Sequence, residues 1–235
     1  MGTIIVDAIP EDLTLPDLAY DRGGDRYLAV YEERFSGTDV DIYSQFLDGI
    51  TLAGSGGAYI NLTGADWRKP KVAVRRFDRR FLVVAEGPSV TASGRTDIVG
   101  RFRRPTGTLE SPIVVKSGHP SFSCRFPDLG ASFQNTSSTG YCLAYSRDYG
   151  TDTDTHAMTL DETGARIAPE IGLSTSPFET DTPPSMSRSS GTSGGCGPMF
   201  RTAWATTELS TGDSRIQAGM IFNSGALWGS VFDVT

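Results

Sequence analysis

The sequence has few of the residues that staple small secreted domains or supply ready-made catalytic groups. Its 235 residues include three cysteines and two histidines. Three cysteines cannot all pair within one chain, so a disulfide framework is excluded as the main source of stability. One bridge between Cys124 and Cys142 is an alternative. We favour buried free thiols, which behave as small apolar side chains.

Long apolar stretches are also missing. No run approaches the roughly 20 residues that span a bilayer, so we expect no membrane insertion. The opening MGTIIVDAIPED lacks the basic region and small-residue cleavage site of a secretory signal. Two alternatives follow: the protein is cytosolic, or a signal has been removed from it.

Negative charge outnumbers positive charge, with 28 Asp and Glu residues against 21 Lys and Arg. The formal net charge is −7 at pH 7. A general nucleic-acid binder needs a basic face to displace counterions, and adsorption on anionic lipid needs the same, so both classes are disfavoured. With 38% hydrophobic and 21% charged residues, the composition is otherwise that of a folded globular protein.

The common catalytic motifs do not occur. There is no Gly-x-Ser-x-Gly, no phosphate-binding loop and no dinucleotide fingerprint. The two histidines, His119 and His156, stand apart in the sequence and indicate neither a zinc site nor a catalytic triad.

What the sequence does contain is an internal repeat. Four prolines open four similar units and lie 54, 57 and 57 positions apart: Pro16, Pro70, Pro127 and Pro184. An aromatic-led apolar run follows each proline, namely YLAVY, FLVVA, YCLAY and FRTAW. A polar turn, a third segment and a turn glycine complete each unit. A period of this length is typical of repeat architectures.

The pattern within each unit predicts four short β-strands. In the first unit, Tyr27, Ala29 and Tyr31 alternate with Leu28 and Val30, so both faces of the second strand are apolar. A strand with one buried face would alternate with polar residues; burial on both faces requires a sheet packed between two other sheets. The sequence therefore predicts an all-β fold, a β-propeller of about four four-stranded antiparallel blades.

The repeat resembles those of secreted or surface bacterial β-propeller proteins. The shared pattern is P-x-[LV]-A, then [YF]-L-[AV]-V, D-I-[YV] and a glycine, and it covers almost the whole chain. The family's tryptophan is replaced by Tyr31, Ala85 and Tyr145 in units one to three, and Trp204 keeps it in the fourth. The resemblance implies an extracellular or cell-surface location, with a cytoplasmic one as the alternative, and a scaffold without any single activity.

We assign the repeat units to residues 16–69, 70–126, 127–183 and 184–235, and residues 1–15 to an outer closing strand. A compact four-bladed ring is the arrangement we favour. A piece of a larger propeller is the alternative, because one strand is surplus.

Chain order predicts which loops form the ligand face. Connections between blades lie on the same side as the loops between strands two and three. This gathers an aromatic ring, carboxylates and basic groups, the components of a sugar or peptide site: Asp66, Trp67, Arg68, Arg95 and His119. Interblade packing is the alternative role for Trp67.

Two further groups are candidates. Asp17 and Asp128 follow the opening prolines of units one and three, which face each other across a four-bladed ring. They are expected to line the channel mouth, as acid–base carboxylates or as a salt-bridged rim. Asp148, Asp152 and Asp154 offer oxygen ligands within one hairpin, which makes calcium the single candidate cofactor.

The function predicted from these features is a non-catalytic binding module that recognises a glycan or a protein partner through the loop face. One alternative is a glycan-processing hydrolase that uses the axial carboxylates. The other is a structural repeat domain of a larger surface or virion assembly.

Overall fold

The computed structural model describes residues 12–36, 39–61, 65–134, 140–188, 191–193 and 196–234. All regular elements within these ranges are β-strands, and every strand pairing is antiparallel. No helix of the described residues is long and apolar enough to cross a membrane.

Three consecutive sheets each have four strands in chain order, and we call each sheet a blade. Blade 1 consists of β1 (Asp12–Asp21), β2 (Arg26–Ser36), β3 (Asp39–Asp48) and β4 (Gly54–Tyr59). Blade 2 consists of β5 (Arg68–Val74), β6 (Phe81–Pro88), β7 (Thr96–Arg103) and β8 (Ile113–Lys116). Blade 3 consists of β9 (Ser123–Ala131), β10 (Tyr141–Asp148), β11 (Thr153–Leu160) and β12 (Ile171–Ser174).

Blade 4 has the same four rows, but its innermost row is broken. Three short strands, β13 (Glu179–Asp181), β14 (Ser185–Met186) and β15 (Gly191–Ser193), all pair with the long strand β16 (Cys196–Glu208). The outer rows are β17 (Ser214–Phe222) and β18 (Phe232–Asp233). The break lies in the unit whose sequence diverges most from the repeat.

The second strand of a blade contributes side chains to two separate hydrophobic cores, one on each of its faces. On β6, Phe81 and Val83 pack with blade 1, whereas Leu82 and Val84 pack with blade 3. Similarly, Tyr141, Leu143 and Tyr145 of β10 face blade 2, and the alternating residues Cys142 and Ala144 face blade 4. This explains the apolar run on both faces that the sequence shows.

The innermost strands meet around one axis. The four opening prolines, Pro16, Pro70, Pro127 and Pro184, line a single cavity of about 320 Å³. Proline lacks an N–H, so it fits where a strand borders a channel rather than another strand. The predicted all-β propeller fold is therefore confirmed.

Two details of the sequence prediction are also visible. Cys124 and Cys142 are buried free thiols, as we favoured. Of the predicted closing strand 1–15, residues 1–11 lie outside the described residues, and residues 12–15 belong to β1, the inner strand of blade 1.

Candidate functional site

The channel mouth is formed by strained backbone that recurs in three blades. Leu15, Lys69 and Phe126 each precede an opening proline and have φ angles of 50°, 55° and 50°. A non-glycine residue in this left-handed region costs on the order of 1–3 kcal/mol, and a following proline restricts it further. Strained residues of this kind cluster at functional sites, so the channel mouth is a candidate for one.

Buried glutamates of the preceding blade hold this backbone in place. The Lys69 amide donates to Glu32 Oε1 at 2.6 Å, and the Phe126 amide donates to Glu86 Oε1 at 2.7 Å. The Lys69 ammonium also pairs with Glu86 Oε1 at 2.9 Å. Hydrogen bonds to a buried carboxylate are strong, so they offset the cost of the backbone conformation. Sequence reasoning did not identify these glutamates.

Just below the prolines, the two predicted aspartates connect neighbouring inner strands. Asp17 Oδ2 accepts the Val72 amide of blade 2 at 2.8 Å. Asp128 Oδ2 accepts the Met186 amide of blade 4 at 2.7 Å. In each aspartate, Oδ2 is therefore held by a backbone amide of the next blade, and Oδ1 does not take part in that bond.

Those other oxygens meet the same guanidinium. Arg188 Nη2 bonds to Asp17 Oδ1 at 2.7 Å, and Arg188 Nη1 bonds to Asp128 Oδ1 at 2.8 Å. Adding the width of a planar guanidinium, the two oxygens are within roughly 8 Å of each other. The structure thus brings Asp17 and Asp128 together at the axis. Arg188 was missed, although its place in the repeat is a signal: the equivalent positions hold Tyr20, Val74 and Ala131.

The two carboxylates are nearly enclosed. The side chains of Asp17 and Asp128 are 9% and 6% exposed, whereas that of Arg188 is 42% exposed. Burial raises the pKa of Asp17 above its ordinary value, and the charge of Asp128 adds to this. The Val72 amide, Arg188 and Lys71 act in the opposite direction without cancelling the rise. Asp17 is therefore easier to protonate than an ordinary surface aspartate.

The predicted aromatic ligand contact requires a correction. Trp67 is only 8% exposed and belongs to the core between blades 1 and 2. Its ring therefore has no free face for a sugar, and interblade packing, the alternative, describes it. Beside it, Asp66 accepts the Val40 amide at 3.1 Å and pairs with Arg68 at 2.8 Å. This group fastens the first interblade connection to β3.

Arg95 and His119 form a separate group between blades 2 and 3. Arg95 Nη2 donates to the carbonyl of Pro120 at 2.9 Å, and the exposed His119 ring stacks on Phe122 at 5.4 Å. No hydrogen bond or ion pair among the described residues joins this group to Asp66 or to the axial aspartates. The single ligand site predicted from the loops is thus three separate groups.

The predicted calcium ligands do not converge either. Asp148 pairs with Arg125 at 3.2 Å, and Asp154 lies 4.0 Å from the His156 ring. Asp152 accepts a hydrogen bond from the neighbouring threonine hydroxyl. Within the described ranges, no three side chains of the ligand-forming types are grouped to hold a metal ion. The predicted calcium site is therefore not formed by these residues.

A buried polar cluster that sequence reasoning missed joins blades 2 and 3. Glu170, just before β12, is bonded by Lys116 Nζ at 2.6 Å and by Arg147 Nη2 at 2.5 Å. The Nδ1 atom of His156 lies 2.9 Å from the same carboxylate. Lys116 belongs to blade 2 and the other three residues to blade 3. The cluster therefore stabilises an interface and does not border the axial site.

Several solved structures of other proteins have a similar fold. An endo-arabinase from Bacteroides thetaiotaomicron is similar, with a TM-score of 0.55 and 12% identity over 94% of this chain and 79% of the other. An α-L-arabinofuranosidase from Fusarium graminearum, in complex with an iminosugar inhibitor, gives 0.58 and 11% over 95% and 66%. A Hadza microbial sialidase gives 0.55 and 12% over 88% and 44%.

No protein-family model matches the chain, and no curated protein shows significant sequence similarity to it. The resemblance to bacterial surface propeller repeats thus stays a prediction. At identities near 12%, the structural likeness shows the fold alone: the chain has the propeller-like fold of solved glycoside hydrolases.

These findings correct the predicted function. We expected a non-catalytic binding module, but the structural neighbours include an endo-arabinase, an arabinofuranosidase and a sialidase, which are enzymes that cleave glycans.

Proposed function

We propose that the protein is a glycan-processing hydrolase whose acid–base pair is Asp17 and Asp128. The observation that carries this proposal is the pairing of two nearly enclosed carboxylates by one guanidinium on the propeller axis. Glycoside hydrolysis needs two such carboxyl groups on opposite sides of the scissile bond. The fold shared with enzymes that cleave arabinose and sialic acid linkages supports the same chemistry.

The environments of the two groups suggest separate roles. Asp17, whose pKa is raised by burial, is the general acid that protonates the leaving-group oxygen. Asp128 is the second carboxyl group, acting on water or on the anomeric carbon. Carboxyl separations of about 5–5.5 Å accompany retention, and about 6.5–9.5 Å accompany inversion. The upper bound of roughly 8 Å set by the shared guanidinium admits both outcomes.

Arg188 is the positioning residue of this pair. Its planar fork holds one oxygen of each carboxylate, and backbone amides of the next blades hold the other oxygens. Such fixed geometry removes much of the entropic cost of bringing acid and base to the substrate. The proline-lined cavity above the pair is the entrance, since it opens at the strained mouth.

The test is hydrolysis of a panel of aryl glycosides, including the α-L-arabinofuranoside, by wild type, Asp17→Asn and Asp128→Asn. Asparagine keeps the shape of aspartate but cannot exchange a proton, and only one of its two terminal atoms can still accept a hydrogen bond. We expect each variant to remain folded by circular dichroism, with a lowered melting temperature because the pairing with Arg188 is weakened, and to lose about 10²–10⁴-fold in kcat. For an active substrate, proton NMR of the first-formed anomer distinguishes retention from inversion.

Asp213→Asn is the matched control, because Asp213 is exposed and remote in sequence from the inner strands. It should retain wild-type activity. If the folded Asp17→Asn variant hydrolyses at the wild-type rate, the assignment of the acid is wrong. If wild type hydrolyses neither the panel nor arabinan, the proposed function is refuted.

A further inference from the structure

A second cavity lies at the other end of the inner strands. It has a volume of about 650 Å³, within the range of ligand sites, and it is bordered by the last residues of β1 and β5 and by the segment after β9. Arg188 also borders it. The same arginine therefore touches this cavity and the two axial aspartates.

One wall of the cavity is an exposed aromatic ledge. The rings of Tyr20 and Tyr27 have centroids 4.8 Å apart, and the Tyr20 side chain is 45% exposed. Leu18, on the same face of β1, is 51% exposed. Tyrosine presents a flat apolar body with a polar rim, which suits the C–H face of a sugar ring. The Tyr20 hydroxyl is held by Asp25 at 2.7 Å, so the ledge is fixed in orientation.

The lining of the cavity also carries positive charge, from four arginines. Arg188 is paired with two aspartates, and Arg79 is paired with Asp21 at 2.9 Å. Arg22 and Arg76 also border the cavity, and neither makes an ion pair with any described residue. The Arg76 guanidinium instead lies 4.5 Å above the Phe133 ring. In a chain of net charge −7, two such arginines beside an apolar cavity favour an anionic ligand.

We propose that this cavity binds an acidic sugar, a uronic acid residue, with its carboxylate on Arg76 and its ring on Tyr20 and Tyr27. The planar fork of an arginine matches the two oxygens of a carboxylate, and stacking on Phe133 restricts its orientation. The proposal rests on the proposed function, because it names the substrate class of the same axial site. Through Arg188, the bound sugar lies next to the acid–base pair.

The test compares binding of methyl β-D-glucuronide with that of the neutral methyl β-D-glucoside, by calorimetry and saturation-transfer NMR. We expect wild type to bind the glucuronide about tenfold or more tightly, and this preference to weaken as salt is raised. Arg76→Gln removes the preference, Arg76→Lys retains part of it, and Tyr20→Ala weakens both sugars. Arg104→Gln is the control, since Arg104 is 54% exposed and pairs with Glu110, away from the cavity lining.

Equal binding of the two glycosides, no binding of either, or an unchanged preference in Arg76→Gln would overturn the inference. Arg76 is exposed, so its replacement does not threaten folding. The two proposals fail separately. Hydrolysis that depends on Asp17 without any preference for glucuronide refutes only the acidic-sugar site. Arg76-dependent glucuronide binding without hydrolysis refutes only the enzyme.

Discussion

Replacing Glu170 by glutamine removes one negative charge from the interface of blades 2 and 3. In the wild-type protein, the Glu170 carboxylate accepts hydrogen bonds from Lys116 at 2.6 Å and from Arg147 at 2.5 Å, and the His156 ring lies 2.9 Å away. Glutamine has nearly the same volume, so packing is preserved and the experiment isolates the charge. The two cations would then face each other without an anion between them.

The size of the effect follows from burial. Breaking a buried ion pair by removing one partner costs about 3–5 kcal/mol, because the remaining charge stays desolvated. The Glu170 side chain is 9% exposed, but those of Lys116 and Arg147 are 17% and 22% exposed, so water partly solvates the cations that remain. We therefore expect the free energy of unfolding to fall by about 2–4 kcal/mol at neutral pH.

The same contacts determine a pH dependence. Burial opposes ionisation of Glu170, but hydrogen bonds from His156 and Lys116 outweigh it and hold its pKa well below the ordinary value of 4.5. The folded state therefore binds fewer protons at this group than the unfolded state. Its contribution is fully present above about pH 5 and is lost as the pH falls further.

Urea denaturation of wild type and Glu170→Gln, at about pH 7 and at several values below pH 5, measures both quantities. The difference between the two proteins should shrink steadily with acidification. Glu162→Gln is the control, since the Glu162 side chain is 47% exposed and lies 3.8 Å from its arginine partner, and it should change stability by less than about 0.5 kcal/mol. If Glu170→Gln is as stable as wild type at neutral pH, the cluster does not stabilise the interface.

Three other changes test burial directly. Trp67→Ala should lower the free energy of unfolding by about 3–5 kcal/mol in urea titrations, because its ring fills the core between blades 1 and 2; an effect confined to sugar binding would contradict this. In a Cys196→Ser background, Cys124 and Cys142 should resist a thiol reagent until the protein unfolds. The reason is that burial raises the pKa of Cys124 to about 12 and that of Cys142 further. Prompt labelling of the folded protein would disprove this. Arg103→Met should cost about 2–4 kcal/mol by thermal unfolding, because this buried side chain donates to carbonyls of Ser44 and Gly56 in blade 1, and a variant as stable as wild type would refute that role.

The fold was predictable because local sequence patterns, the apolar alternation and the repeated proline, specify it. The alternation of Phe81 and Val83 with Leu82 and Val84 requires burial on both faces, and the structure divides these pairs between two cores. The repeated proline also predicted where the channel mouth lies. Asp17 and Asp128 could be placed on the axis for the same reason, since each has a fixed position relative to its proline.

The rest depends on contacts that no local pattern specifies. The Glu32 carboxylate reaches across 37 positions to the Lys69 amide, and Arg188 reaches across 171 positions to Asp17. The charged neighbours of Trp67 in the sequence indicate an exposed loop. Its burial depends instead on the packing of blade 1 against blade 2, which no local pattern shows. Asp148 and Asp154 are close in the sequence but not grouped in the structure, since Asp148 pairs with Arg125 and Asp154 lies beside His156.

The carboxylates that bind from one blade to the next bear on how a gene for such a ring can gain or lose repeat units. Glu32 and Glu86 each bind the backbone before the following proline, so in both cases donor and acceptor belong to adjacent copies. A tandem duplication of one unit would deliver both halves of this joint together, ready to connect to whatever precedes and follows. Growth by whole units therefore leaves the connections intact, whereas deletion of half a unit would leave a buried anion without its amide.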